Sequence, residues 1–409
     1  MKIYTFTYSL LVLLLCTALN LRAQSDSTKK TSFADTTSKL NMDAAKNRPY
    51  LFSGKSPIAI GGYVEANTQF TQTDGINDGY SFQFRRLTLF FSTVIAKKIR
   101  FMSELEFEDG TKEINIESAT FDMEFHPLLN LRGGIILNPI GAFNQNHDGP
   151  RWDFIDRPIS STTIIPATLS NVGFGLHGKQ ISNNWVLGYE LYLTNGFDDK
   201  IISNSENRTS LAAGKINPEK FEESNSGLPM FSGKLGVRNR NIGEIGISLV
   251  SGVYNKWVVD GLEIDEKRNC SILAFDFNTS FSNKINITGE IAKVMVDVPE
   301  NYTQQYGSEQ YGGYLDIIYT ILQKKIMDWE NAKLNAGIRM EYADYNSGTF
   351  KETGEKISDE LWSIVPTIAF RPVGNTVLRF NYRYQEQKDL LGNPSAKTAI
   401  WQFGFSTYF

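Results

Sequence analysis

From Ile58 to the terminal Phe409, apolar and polar residues alternate with a period of two in one short window after another, and the connections between windows alternate long and short. A period of two is the mark of a strand with unlike faces. In the closing IWQFGFSTYF, Trp401, Phe403, Phe405 and Phe409 share one parity, while Gln402, Gly404, Ser406 and Tyr408 share the other. The window WVLGYELYL sets Leu187, Tyr189, Leu191 and Leu193 against Gly188, Glu190 and Tyr192. KLNAGIRMEY sets Leu334, Ala336, Ile338 and Met340 against Asn335, Gly337, Arg339 and Glu341. Charges keep to one parity. A single strand of this kind would suit a soluble sandwich as well as a barrel wall, so the connections must decide.

About sixteen such windows can be counted, an even number of the kind single-chain outer-membrane barrels use. Long connections (Asn138 to Asn171, Asn195 to Pro229, Tyr254 to Arg268, Asp297 to Glu309, Tyr345 to Ser358, Gln385 to Lys397) alternate with tight ones near Ala96, His126, Ile181, Asn239, Ser282 and Arg371. If the first strand runs outward, the long ones fall outside the cell and nearly all the short ones in the periplasm. Outer-membrane barrels show that asymmetry, and a sandwich has no reason to. The expected fold is therefore an all-β transmembrane antiparallel barrel with an inward-folded third extracellular loop. Two features fit poorly: Pro366 inside SIVPTIAF would remove a ladder donor, and QKKIMDWEN is long for a tight turn. The final strand must pair with the first, because closure removes the sheet's edges.

The amino terminus carries an apolar run, LLVLLLCTALNL, after one lysine, and offers a small residue at Ala23. Residues 1–23 read as a cleaved secretory signal peptide, and the run is too short for a membrane-spanning helix. Residues 24–57, rich in Ser, Thr, Lys and Asp, read as a flexible periplasmic leader, and 58–409 as the barrel. With 41 basic and 45 acidic residues, bulk charge argues against a nucleic-acid partner. Once the signal is removed only Cys270 remains, so no internal disulfide can form.

Catalysis has little to work with. His126, His147 and His177 are far apart in sequence and in no paired metal-ligand spacing, and no GxSxG elbow is present. No cofactor or metal is expected. The informative residues are the charges on inward parities: Arg85, Arg100, Arg132, Arg339, Arg379 and Arg383 among the basic ones, Glu65, Glu104, Glu106, Glu290, Asp316 and Glu341 among the acidic ones. Such charges must meet water or one another. A water-filled pore whose arginines attract anions is one reading. A plug of paired charges is the other. The third loop, about thirty residues without strand period, is the expected constriction, contributing Arg151, Phe154, Asp156 and Arg157.

FRRLTLFF from Phe84, RGGIILNPIG from Arg132, DFIDRPIS from Asp153 and the terminal Phe together resemble the phosphate-selective porin family, O and P type. The resemblance is best from Ile58 to Lys179. It implies a homotrimeric sixteen-stranded porin with an arginine ladder for phosphate or polyphosphate. Arg85 and Arg86 match the family's paired arginines, Gly134 and Pro139 its turn into the constriction, and Phe154, Asp156 and Arg157 positions in the loop. Leu137 stands where members commonly carry a lysine. The ending is similar to the signal by which the barrel-assembly machinery recognises such proteins.

The function expected from the sequence is passive diffusion of small hydrophilic solutes, anions such as phosphate among them, across the outer membrane. A plugged barrel binding a partner through its long loops is the alternative, and it would give no conductance. An outer-membrane hydrolase is a third, and its turnover would vanish on replacing His177.

Overall fold

The computed structural model describes residues 40–51, 58–206, 208–215, 218–282, 284–300, 307–350 and 353–409. The expected signal peptide, 1–23, lies outside them. The first strands are β1 Ile58–Thr73, β2 Ile76–Ala96, β3 Ile99–Glu108, β4 Glu113–His126, β5 Leu129–Leu137 and β6 Ser170–Ser182. Next come β7 Trp185–Thr194, β8 Met230–Asn239, β9 Gly243–Val253, β10 Val258–Val259, β11 Leu262–Glu263 and β12 Asn269–Phe281. The chain finishes with β13 Ile285–Val296, β14 Glu309–Ile326, β15 Trp329–Asp344, β16 Glu360–Arg371, β17 Thr376–Gln387 and β18 Ala396–Tyr408. All but β10 and β11, which pair with each other in a loop, close into one sixteen-stranded barrel in which β1 meets β18. That seam runs antiparallel from Tyr63↔Tyr408 to Thr73↔Thr398.

The start of β1, the end of β18 and the tight turns lie at one end of the barrel, and the long connections lie at the other. Two short connections fall at that other end, the four residues 109–112 between β3 and β4 and the β1–β2 hairpin, where Asp74 and Gly75 both have positive φ, 50° and 84°, as a two-residue turn that follows the strand twist requires. Among the described residues no helix is long and apolar enough to cross a membrane.

Alternation in sequence becomes alternation in exposure. Along β18, Trp401, Phe403 and Phe405 point outward and exposed, while Gln402, Gly404 and Ser406 are buried inside. Leu187, Leu191 and Leu193 do the same on β7 against Val186, Glu190 and Tyr192. Leaving one large apolar side chain in water forgoes about 1.5–3 kcal/mol. Repeated around the ring, that deficit exceeds the ~5–15 kcal/mol net stability of a typical domain, so the outer face suits hydrocarbon.

Both awkward features are accommodated locally. The β16–β17 ladder skips Val365 and Pro366, while Pro366 still stands opposite Ile338 of β15. QKKIMDWEN is strand on both sides of a two-residue turn at Met327 and Asp328, with Met327 at φ 52°.

Part of the expected flexible leader is built into the barrel. Residues 40–51 form two single 3-10 turns, Asn41–Asp43 and Ala45–Asn47, with Leu40, Met42, Ala44, Arg48 and Leu51 buried. Their apolar side chains face pockets of the inner wall. Leu40 and Met42 pack on Val186, and Leu51 packs on Tyr63, Phe90 and Tyr408.

Candidate permeation site

The paired arginines of FRRLTLFF sit at a β-bulge. Glu65 pairs with Arg86 and Ala66 with Phe84, so Arg85 is the extra residue. A bulge lets two adjacent residues share a face that strict alternation would divide. Both side chains therefore point inward: Arg85 donates to Asn67 at 2.6 Å and Asp156 at 2.7 Å, and Arg86 lies 3.1 Å from Glu106 and 2.7 Å from Glu108. A second bulge skips Glu117 between the Glu104↔Ser118 and Leu105↔Ile116 pairs, and leaves Glu117 and Ser118 both buried.

The connection between β5 and β6, residues 138–169, touches walls on opposite sides of the ring. On β3, Glu104 lies 3.2 Å from His147 Nε2. On β13, Glu290 accepts from the amides of Ala142 and Phe143 at 2.6 and 3.0 Å and from the Ser161 hydroxyl at 2.6 Å. Strands β3 and β13 are half a turn apart in the strand order. The two ends of the connection are tied by Asn144, which donates to the carbonyls of Asn138 and Leu169 and accepts from the Leu169 amide.

Its middle is held by wall side chains. Arg379 donates to the carbonyls of Gly149, Trp152 and Phe154 and to Glu65 at 2.9 Å. Arg339 forms a two-pronged pair with Asp316, 2.7 Å on each arm, donates to the Asp156 carbonyl and lies 4.2 Å from the Phe154 ring centroid. Asn381 accepts from the Ile155 amide, and Arg371 donates to Asp153 at 2.7 Å.

The expected pore arginines thus fall into two groups. Arg132, Arg339, Arg379 and Arg383 are buried. Arg132 is engaged by Asp122, Glu190 and Tyr192, and Arg383 by Glu341 and Ser363. Arg85, Arg100, Arg151 and Arg157 are half-buried. Arg100 lies 3.5 Å from Glu124, Arg151 bonds to Tyr408, Asn146 and the Ala44 carbonyl, and Arg157 lies 3.4 Å from Glu106. Asp156 joins the groups. Its carboxylate accepts from Arg85 and Gln402 and lies 3.3 Å from Arg383, with 23% of the side chain exposed. Burial alone would raise the Asp156 pKa, but Arg85 and then Arg383 hold it well below the usual carboxylate range.

Sequence reasoning missed Arg371, which stands at the edge of a tight turn, and Arg48, in a segment without periodicity. It also missed an apolar seat. Inward-facing Val250, Ile272, Ala274 and Val294 pack with Ile140, Ile164, Ile165, Phe197 and Leu211 of the long connections. Apolar residues on both parities of β12 and β13 were the available signal. Of the histidines, His177 is 2.9 Å from Asp122, and His147 bonds to Glu104 and the Asn144 carbonyl.

No family model matches the sequence. A protein of Aquifex aeolicus (strain VF5), described as uncharacterized, is 25% identical over 376 residues, covering 86% of this chain and 81% of that one. Among solved structures the barrel is similar to the outer membrane channel DcaP of Acinetobacter baumannii, with TM-score 0.55 and 12% identity over 88% of this chain and 99% of that one. The anion-selective porin from Comamonas acidovorans gives TM-score 0.52 at 11% identity, covering 86% and 99%. Salmonella typhi OmpF in complex with daunomycin gives 0.53 at 9%, covering 86% and 97%. At such identities the likeness establishes the porin-type barrel fold.

Proposed function

We propose that the protein is an outer-membrane channel passing small hydrophilic solutes, inorganic anions among them, by diffusion. The observation that carries this reading is the two-faced closed wall, apolar outside and charged inside, with half-buried Arg85 and Asp156 gathered beside buried Arg383. A sheet this size encloses more space than wall side chains fill, and the inward-folded connection 138–169 supplies the constriction. The nearly balanced pairing of arginines with carboxylates supports a weak anion preference, with phosphate one permeant anion and not a captured ligand. Location in the outer membrane is supported by the outward aromatics Trp401, Phe403 and Phe405 of β18, which also suit recognition by the assembly machinery. The homotrimer implied by the family resemblance belongs to the same proposal.

The test is single-channel conductance of the refolded full chain in a planar bilayer, with reversal potential under a KCl gradient. Discrete steps with a small shift toward the anion potential support the reading. The plugged barrel remains a second reading because residues 40–51 and 138–169 both occupy interior sites. A folded protein that never conducts, in any variant with those segments loosened, would establish it.

A further inference from the structure

Residues 40–51 bind around much of the inner wall near the end that carries the tight turns. The Asn41 amide donates to Glu244 of β9 at 2.8 Å, and its side chain bonds with Asn278 of β12. Asp43 accepts from Lys179 of β6 at 2.7 Å. Arg48 donates to Asp148 on both carboxylate oxygens, at 2.7 and 3.0 Å, lies 2.8 Å from Glu104 of β3, and sits 4.0 Å over the Phe90 ring. Leu51 reaches the β1–β18 seam at Tyr63 and Tyr408. The segment therefore strings together β12, β9, β6, β3 and the seam, and lines with Asn146, Arg151 and Arg238 an open pocket of about 280 Å³.

We propose that residues 40–51 are an internal strap that closes the tight-turn end of the channel and opens it when displaced, with Arg48 as its latch. The proposal rests on the channel reading above. The physical argument is charge complementarity. Glu104 and Asp148 are both buried and face the same point beside His147, and the guanidinium of Arg48 is the cation that lets two carboxylates stand there. His147 and Arg151 already serve these acids from the constriction loop, so withdrawing Arg48 leaves them with partners. The strap is thus held by strong bonds that its absence does not make ruinous. Its other acidic partners also keep a cation when it leaves: Asp122, 3.5 Å from Lys46, keeps Arg132; Asp276, bonded by the Asn41 side chain, keeps Lys234; and Glu244, bonded by the Asn41 amide, lies 3.6 Å from Arg238. Only six residues of sequence separate Leu51 from Ile58 at the start of β1, so a displaced strap stays tethered near its seat.

The test compares the full chain, a variant lacking residues 40–51, and Arg48→Glu, which keeps the chain length and sets three acids together. Each is refolded and shown to be a closed barrel by its heat-dependent gel mobility, and its conductance is then recorded in planar bilayers. A severalfold rise in conductance or open time in the deletion variant, with Arg48→Glu moving the same way, supports the strap. Equal conductance in all three overturns the strap and leaves the channel reading intact. Folded barrels with no conductance in any of the three overturn the channel reading itself. If the deletion variant does not fold, Arg48→Glu alone carries the comparison, and unchanged gating in it counts against the latch.

Discussion

Arg85 and Arg383, on strands β2 and β17, share the single carboxylate of Asp156, which lies 2.7 Å from the first and 3.3 Å from the second. The loop thereby inserts a negative charge between two wall arginines, which on the proposed channel reading would oppose anions there. Replacing Asp156 by Asn keeps the shape and removes the charge. The chloride-to-potassium permeability ratio should rise about two- to fivefold, the worth of one partly wetted charge at ~0.4–1 kcal/mol. Reversal potentials under a KCl gradient measure it. An unchanged ratio would place Asp156 off the permeation path.

Glu290 is the far anchor of the same loop, accepting from two loop amides and the Ser161 hydroxyl. Glu290→Leu strands these buried donors at about 1–3 kcal/mol each, a cost borne by the loop and not by the β13 ladder. The barrel should still fold. Conductance should become noisier or larger, and the urea midpoint should fall. Glu290→Gln, which keeps an acceptor, should fall in between; equal behaviour of both variants and the native chain would show that the loop does not depend on this anchor.

Gly134, which the family resemblance placed at the turn into the loop, lies inside β5, paired with Thr120 and Gly173, and makes a separate demand. Its φ is +109°, and a Cβ there would come within 2.1 Å of the Ala119 carbonyl oxygen on the neighbouring strand. Gly134→Ala should cost about 1–3 kcal/mol of stability through the strained backbone, and more if β4 must shift. Gly348→Ala is the control, since it has open space and no positive φ, and should be neutral. Urea unfolding in detergent or lipid compares the two, and equal midpoints would refute the strain.

How much of this was legible beforehand follows from the range of each interaction. The alternation in β7, β15 and β18 is local, so parity gave the inward faces of Glu190, Arg339 and Gln402 directly from sequence. The bulge that turns both Arg85 and Arg86 inward depends on how many residues the partner strand spends opposite them, and period-two reasoning has no access to that count. Arg48 and Asp148 meet a hundred residues apart. Neither belongs to a periodic element, so the segment around Arg48 read as flexible leader until its partners were in place. The loop residues Asp156 and Arg157 were found as charges among aromatics, yet their partners Arg383 and Glu106 come from strands distant in sequence, and pairing decides whether such charges attract solute or hold the loop.

His147 should make stability fall as pH rises. The buried imidazole would lose basicity from burial alone, but Glu104 at 3.2 Å, with Asp148 nearby, lifts its pKa above the ordinary 6.5. A folded pKa above the unfolded one means that the stabilisation is fully present below 6.5 and is lost as pH climbs through the raised folded value. Urea midpoints should therefore decline from mildly acidic to mildly alkaline pH. His147→Gln keeps a hydrogen-bond donor toward Glu104 without a titrating proton, and should flatten that decline while lowering stability on the acid side. A native profile already flat across this range, or one unaltered in His147→Gln, would show that the imidazole does not carry the charge that holds Glu104.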